Sequence, residues 1–168
     1  TLEELFQQRE RQAIPPFQQV LIETTGLADP APILRTLTTD PWITASYRLA
    51  TIITTIDALY GVTQLEEYEE ATKQAALANH LILTKIDLVD STILETLKQR
   101  LRRLNPIAQF HTVNLVQQTL AATTLFATND YHHHTQQLAV AQWLQADSYL
   151  APPIEVPHEE FHQEHTSE

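Results

Sequence analysis

Short apolar runs of strand length alternate with segments of helical period along most of this chain, and that alternation is the strongest limit on its fold. Phe17 to Ile22, Arg48 to Ile56 ending at Asp57, Leu81 to Leu83, and Gln109 to Val113 read as four strands. Leu2, Leu5 and Phe6 read as a short amphipathic helix, already under way at Thr1, that Pro15-Pro16 ends. Pro30 and Pro32 suit the first turn of a helix through Ile33, Leu34 and Leu37. Leu65 to Ala78 is helical, with Glu66, Glu67, Glu69 and Glu70 on its solvent side. Asp90 or Ser91 caps a helix in which Ile93, Leu94, Leu97, Leu101 and Leu104 recur until Asn105-Pro106, and Leu120 to Phe126 adds a helical turn or two. Strands separated by helices of about 10–15 residues predict βαβ units and an α/β fold with a parallel sheet. After Asn129 the pattern fades: Ala139 to Leu144 is the one further helix, and Pro152-Pro153 opens a polar tail.

The chain of 168 residues is long enough for one cored domain and short for two. Ten Lys and Arg against 21 Asp and Glu give a net charge of −11, which repels phosphate arrays, so nucleic acid and acidic membrane surfaces are disfavoured as partners. With no cysteine there is no disulfide, thiolate metal site or cysteine nucleophile. No stretch is apolar enough to span a bilayer and no leader pattern opens the chain, so a cytoplasmic location is expected. Glycine occurs twice, where ordinary usage is about 7%. A phosphate-cradling loop needs two glycines about five residues apart followed by Lys. Gly26 and Gly61 are far apart, and none of Lys73, Lys85 or Lys98 follows a glycine. The absence of Met, even at position 1, adds to the expectation of an internal piece of a longer protein.

Two turns carry chemistry. In Glu23-Thr24-Thr25-Gly26, a carboxylate at a strand's C-terminal end is placed to hold Mg²⁺ through water. The glycine lets the backbone pass close to a phosphate and offer it an N–H; the plainer alternative is a turn in which Gly26 supplies a positive φ. In Thr84-Lys85-Ile86-Asp87, a carboxylate can accept both the N1–H and the exocyclic amine of guanine, a donor pair adenine lacks. The stem of Lys85 can lie along the base with its ammonium in solvent, and the Thr84 hydroxyl can brace the turn. The plainer alternative here is an ordinary helix start.

In order and spacing the two turns resemble those of the CobW-type GTPases, P-loop proteins of the CobW/HypB/UreG group. The run Ile22-Glu23-Thr24-Thr25-Gly26-Leu27-Ala28-Asp29-Pro30-Ala31-Pro32 is similar to the family's acid turn. Thr55-Ile56-Asp57-Ala58, Gln74-Ala75-Ala76 with Leu81 to Leu88, and Asn105-Pro106-Ile107-Ala108 with Thr112-Val113 also resemble it, with Thr84 where Asn is usual. The resemblance implies a doubly wound, mostly parallel sheet, with residues 1–128 as part of the GTPase domain and 129–168 as a linker to a further domain. It implies Glu23 and Gly26 as catalytic, Thr84, Lys85, Asp87, Thr112, Val113 and Asn114 as nucleotide contacts, and GTP with Mg²⁺ as cofactors. A phosphate loop and a Cys-x-Cys-Cys motif would precede Thr1. The activity implied is GTP hydrolysis coupled to delivery of zinc or cobalt to a client protein, with a homodimer possible. An adaptor or metal buffer keeping the fold without the activity is the alternative.

Departures narrow the expectation. Asn79-His80 replaces the commoner Asp-Arg, which reads as a surface change, and Asn114 to Gln118 lacks the base-loop glycine. Leu27 stands where other guanine-nucleotide switches orient the attacking water with glutamine, so hydrolysis is expected to be slow unaided. His158, His162 and His165 fall at spacings that share a helix face and suit Zn²⁺ or Ni²⁺, and His132-His133-His134 forms a second cluster, although both sit in a stretch that also reads as a solvated linker. His80 and His111 read as structural.

Overall fold

The computed structural model describes residues 1–114 and 120–126. Three strands, β1 (Ile53–Asp57), β2 (His80–Thr84) and β3 (Gln109–Thr112), form a parallel sheet in the order β1-β2-β3. Helices α1 (Leu2–Glu10), α2 (Pro30–Thr39) and α3 (Pro41–Ser46) precede the sheet. The crossover from β1 to β2 contains α4 (Gly61–Glu67) and α5 (Glu69–Leu77). That from β2 to β3 contains a 3₁₀ turn (Ile86–Leu88) and α6 (Ser91–Leu104), and α7 (Ala122–Phe126) follows β3.

The main core lies where Ile56, Leu81 and Leu83 of the strands meet Leu65, Ala75, Leu97 and Leu101 of the helices. In β2, Leu81 and Leu83 are fully buried and alternate with half-buried Ile82, as period-two geometry requires. On α6 the expected helical repeat buries Leu97 and Leu101, while Asp90 caps the helix by accepting from the N–H groups of Thr92 and Ile93 at 2.9 and 3.0 Å. A second cluster joins Ala31 and Leu34 of α2 to Leu77 of α5, with Leu49 and Ile52 against it. At the chain's start Phe6 packs edge to face against Trp42 and Tyr47, which lie tilted to each other, with centroids 5.5 to 6.3 Å apart, and the three rings tie α1 to α3.

Five expectations change. Phe17 to Ile22 is irregular backbone with Leu21 79% exposed, not a buried strand. An apolar run becomes a strand only beside another, and no described backbone hydrogen bond engages this one. The strand expected from Arg48 begins at Ile53, because its partner β2 begins at His80, opposite Ile53. The helix expected from Leu65 to Ala78 is two helices, broken where Tyr68 takes an extended conformation. Thr1 precedes α1 as its cap, its hydroxyl accepting from the Glu4 N–H, instead of lying within it.

Asn79-His80 is not a surface change either. The Asn79 side chain accepts from the Ile52 N–H, and its own N–H donates to the Ile52 carbonyl, closing the entry to β1 and β2. His80 is buried, and its Nδ1 lies 2.9 Å from His111 Nε2 across the β2–β3 pair. No helix among the described residues is long and apolar enough to cross a membrane.

Candidate nucleotide site

Parallel strands bring their C-terminal ends to one edge of the sheet, which is where ligands bind in open α/β folds. Register places Asp57 opposite Thr84, and Thr112 opposite Leu83, so the ends of all three strands lie side by side. Thr84 donates its hydroxyl to the Ile56 carbonyl at 3.3 Å, bracing the turn as expected. Lys85 has φ 54 and ψ 32, a left-handed conformation that costs a non-glycine residue about 1–2 kcal/mol.

The Lys85 side chain is exposed, as expected, and its ammonium is also ion-paired, which was not expected. It pairs with Asp57 Oδ2 at 2.5 Å, and Asp57 Oδ1 accepts from the Leu59 N–H at 2.8 Å. Partial burial pushes the Asp57 carboxyl up, but the Lys85 hydrogen bond and charge and the Leu59 N–H together hold it below its ordinary 3.8. Lys85 is raised above 10.5 by the same hydrogen bond and charge. Asp87 lies on the exposed 3₁₀ turn, and its carboxylate has no partner among the described residues, leaving both oxygens able to accept. Thr112 is exposed. Val113 is a core residue whose N–H bonds to the Leu83 carbonyl at 2.9 Å, and half-buried Asn114 follows it.

The acid turn is held from another direction. Glu23 is exposed and has no side-chain partner among the described residues. Gly26 is not in the left-handed region, so the plainer explanation for this glycine fails. A Cβ built on it meets nothing within 4 Å, so open space lies beside the backbone there. The turn closes through the Ala28 N–H to the Thr25 carbonyl at 3.0 Å. Asp29 then caps α2 by accepting from the Ala31 N–H at 2.8 Å, and its second oxygen takes Lys73 at 3.1 Å. Burial raises the Asp29 carboxyl; the Ala31 N–H and Lys73 more than offset this and leave it below 3.8.

Among the described residues no hydrogen bond or ion pair links the base-side turn directly to the acid turn. They are joined through α5 and β1, since Gln74 of α5 grips the acid turn and its carbonyl accepts from the Thr54 hydroxyl of β1 at 2.9 Å. Asp57, Lys73 and Gln74 were not expected as site residues. The one available signal for Asp57 was its place at a strand end, and its pairing depends on a register no single sequence displays. His158, His162 and His165, the second histidine cluster and the helix at Ala139 lie outside the described residues. Among the described residues no group of three or more His, Asp or Glu is gathered to hold a metal.

A family model described as "CobW/HypB/UreG, nucleotide-binding domain" matches residues 1–112, two thirds of the chain. The chain belongs to this family. It is 34% identical over 97 residues to "Zinc chaperone YjiA" of Escherichia coli, covering 58% of this chain and 30% of that protein. It is 32% identical over 109 residues to "Zinc-regulated GTPase metalloprotein activator 1" of Schizosaccharomyces pombe, covering 64% and 25%. The crystal structure of Zn(II)-bound YjiA GTPase superimposes with a TM-score of 0.68 and 31% identity, over 76% of this chain and 39% of that one. The sheet with its flanking helices is thus the P-loop GTPase fold of this family. The chain spans less than half the length of each relative.

Proposed function

We propose that this CobW/HypB/UreG chain is the switch and base-binding part of a GTP-dependent zinc chaperone, a protein that couples GTP hydrolysis to delivery of the metal to a client. The observation that carries the reading is the free carboxylate of Asp87, on the turn after β2, in a chain whose first 112 residues match the family's nucleotide-binding domain. Two unpartnered oxygens on an exposed turn suit the adjacent donors of guanine, and adenine offers no such pair. Lys85, held by Asp57, lends its stem to the base plane. Thr112 and Asn114 flank the same edge, and Val113 contributes by fixing β3 to β2.

Glu23 fits Mg²⁺ held through water: it is exposed, unpaired and followed by the open space at Gly26. Mg²⁺ bound there supplies charge neutralisation of the phosphates. The Gly26 N–H is available to the terminal phosphate, and Leu27, 63% exposed, has no group to orient water. Hydrolysis is therefore slow unless a partner supplies that group. We place the phosphate loop, which this chain does not contain, and the rest of the metal-handling machinery elsewhere in the full-length protein, and the protein in the cytoplasm. Zinc or another transition metal is cargo in this scheme; cobalt has less support, as the similar proteins are described through zinc.

Asp87→Asn in the full-length protein tests the reading. Asn presents a donor where Asp accepts, so at least one charge-assisted hydrogen bond, worth about 1.5–3 kcal/mol, becomes a repulsion. Guanine-nucleotide affinity should fall by about 100-fold and xanthine-nucleotide affinity should rise. Unchanged preference would favour an adaptor that retains the fold without reading the base.

A further inference from the structure

Gly26 is the one residue of the acid turn whose peptide plane sterics leave unfixed: it lacks a Cβ, and nothing lies within 4 Å of where one would be. Something else must decide whether its carbonyl or a neighbouring N–H faces the phosphate. The Gln74 amide does. Its Nε2 donates to the Ala28 carbonyl at 2.8 Å and to the Gly26 carbonyl at 3.2 Å, across 46 and 48 residues of sequence. Lys73, beside it, takes Asp29 at 3.1 Å, so the end of the turn and the start of α2 are held by the same helix.

The frame that holds them is itself braced by hydrogen bonds. Thr54 of β1 donates to the Gln74 carbonyl. The buried Asn105 amide donates to the carbonyls of Ala75, Ala76 and Ala78 at 2.9 to 3.0 Å, and Ala75 and Ala78 are fully buried. With two carbonyls drawn towards α5, the N–H groups of Gly26 and Leu27 have no partner among the described residues.

We propose that Gln74 is the positioning residue of the acid turn: by holding the Gly26 carbonyl it sets the Gly26–Leu27 peptide plane, so that the Leu27 N–H, and not that carbonyl, is offered to the terminal phosphate of GTP. This deepens the function proposed above and rests on it. Without Gln74 the Gly26 peptide is free to turn, and a carbonyl facing the phosphate repels it. GDP has no third phosphate and is indifferent to the change. The device thus acts on discrimination between the nucleotides and not on guanine binding.

The test measures GTP and GDP affinities of the full-length protein by titration of fluorescent nucleotide analogues, with Gln74→Ala and Gln74→Glu. Glu is nearly isosteric but has no donor when ionised. The preference for GTP over GDP should fall about five- to tenfold in Gln74→Ala, the loss of one net hydrogen bond, and at least as far in Gln74→Glu. GDP affinity should stay within about twofold of wild type. An unchanged ratio in variants with wild-type melting overturns the proposal, as does a parallel fall for both nucleotides, which marks a merely structural role. Failure of the wild-type protein to bind either nucleotide refutes the functional reading itself, before any variant is made, and this inference with it.

Discussion

The two glycines sit in opposite environments, and the difference separates packing from chemistry. A Cβ on Gly61 would lie 2.8 Å from Ile56 Cγ2 and 3.2 to 3.3 Å from Leu97, both core side chains with little room to move. Gly61→Ala should cost about 1–3 kcal/mol by overpacking. Gly26→Ala meets open space and no left-handed strain, so stability should stay within about 0.5 kcal/mol or rise slightly. If the backbone at Gly26 serves close phosphate approach, the same Gly26→Ala protein should lose GTP affinity while keeping GDP affinity. Urea unfolding beside nucleotide titration checks both halves, and a destabilised Gly26→Ala protein would show that this glycine serves packing after all. Gly26 stood out in the sequence as one of two glycines. Its reason was not legible, because φ and the surrounding space are tertiary facts.

At the scale of elements, β2 and β3 are joined by a hydrogen-bonded histidine pair, and it gives their contact a pH dependence. Burial, and then the charge of His111, holds His80 below its ordinary 6.5; burial does the same for His111. Above that value both rings are neutral in folded and unfolded chains, and they contribute nothing to the pH dependence. Just below it the unfolded chain binds more protons than the folded one, so stability should fall as pH drops from about 7 towards about 5. A shared proton serves the 2.9 Å pair, and two charged rings would set donor against donor. Urea midpoints at several pH values should show this slope, and replacing the pair with His80→Leu and His111→Val should flatten it. A wild-type midpoint independent of pH across that window would refute the linkage. The strands themselves were legible as β-branched or apolar runs, as was α6 with its Asp90 cap. The pairing was not: His80 and His111 meet only because β2 and β3 are parallel and in this register.

For the molecule as a whole, the fold resembles about two fifths of a solved GTPase, and the division of labour follows from what the chain contains. It holds an acid turn and the Thr84 to Asp87 turn proposed to read guanine, but no glycine-lysine loop to cradle phosphates. Residues 1–168 expressed alone should therefore bind GTP far more weakly than the full-length protein, as isothermal titration of both would show. Equal affinities would mean that the phosphates are held by residues within this chain. The exposed apolar run at Leu21 and Ile22 belongs to the same scale. Its sequence says strand, but a strand is a relation between two segments and not a property of one.

By itself the sequence determined the α/β alternation and the Asp90 cap of α6, and it singled out the two turns proposed to carry chemistry, since these depend on periodicity and on side chains acting within a few residues. Tertiary structure alone decided that Lys85 pairs with Asp57, that Gln74 grips the acid turn, that Asn79 binds the Ile52 backbone and His80 meets His111, and that Phe17 to Ile22 stays outside the sheet. Each of those outcomes is set by contacts between segments tens of residues apart. Register and packing fix such contacts, and neither is written in any local stretch of the chain.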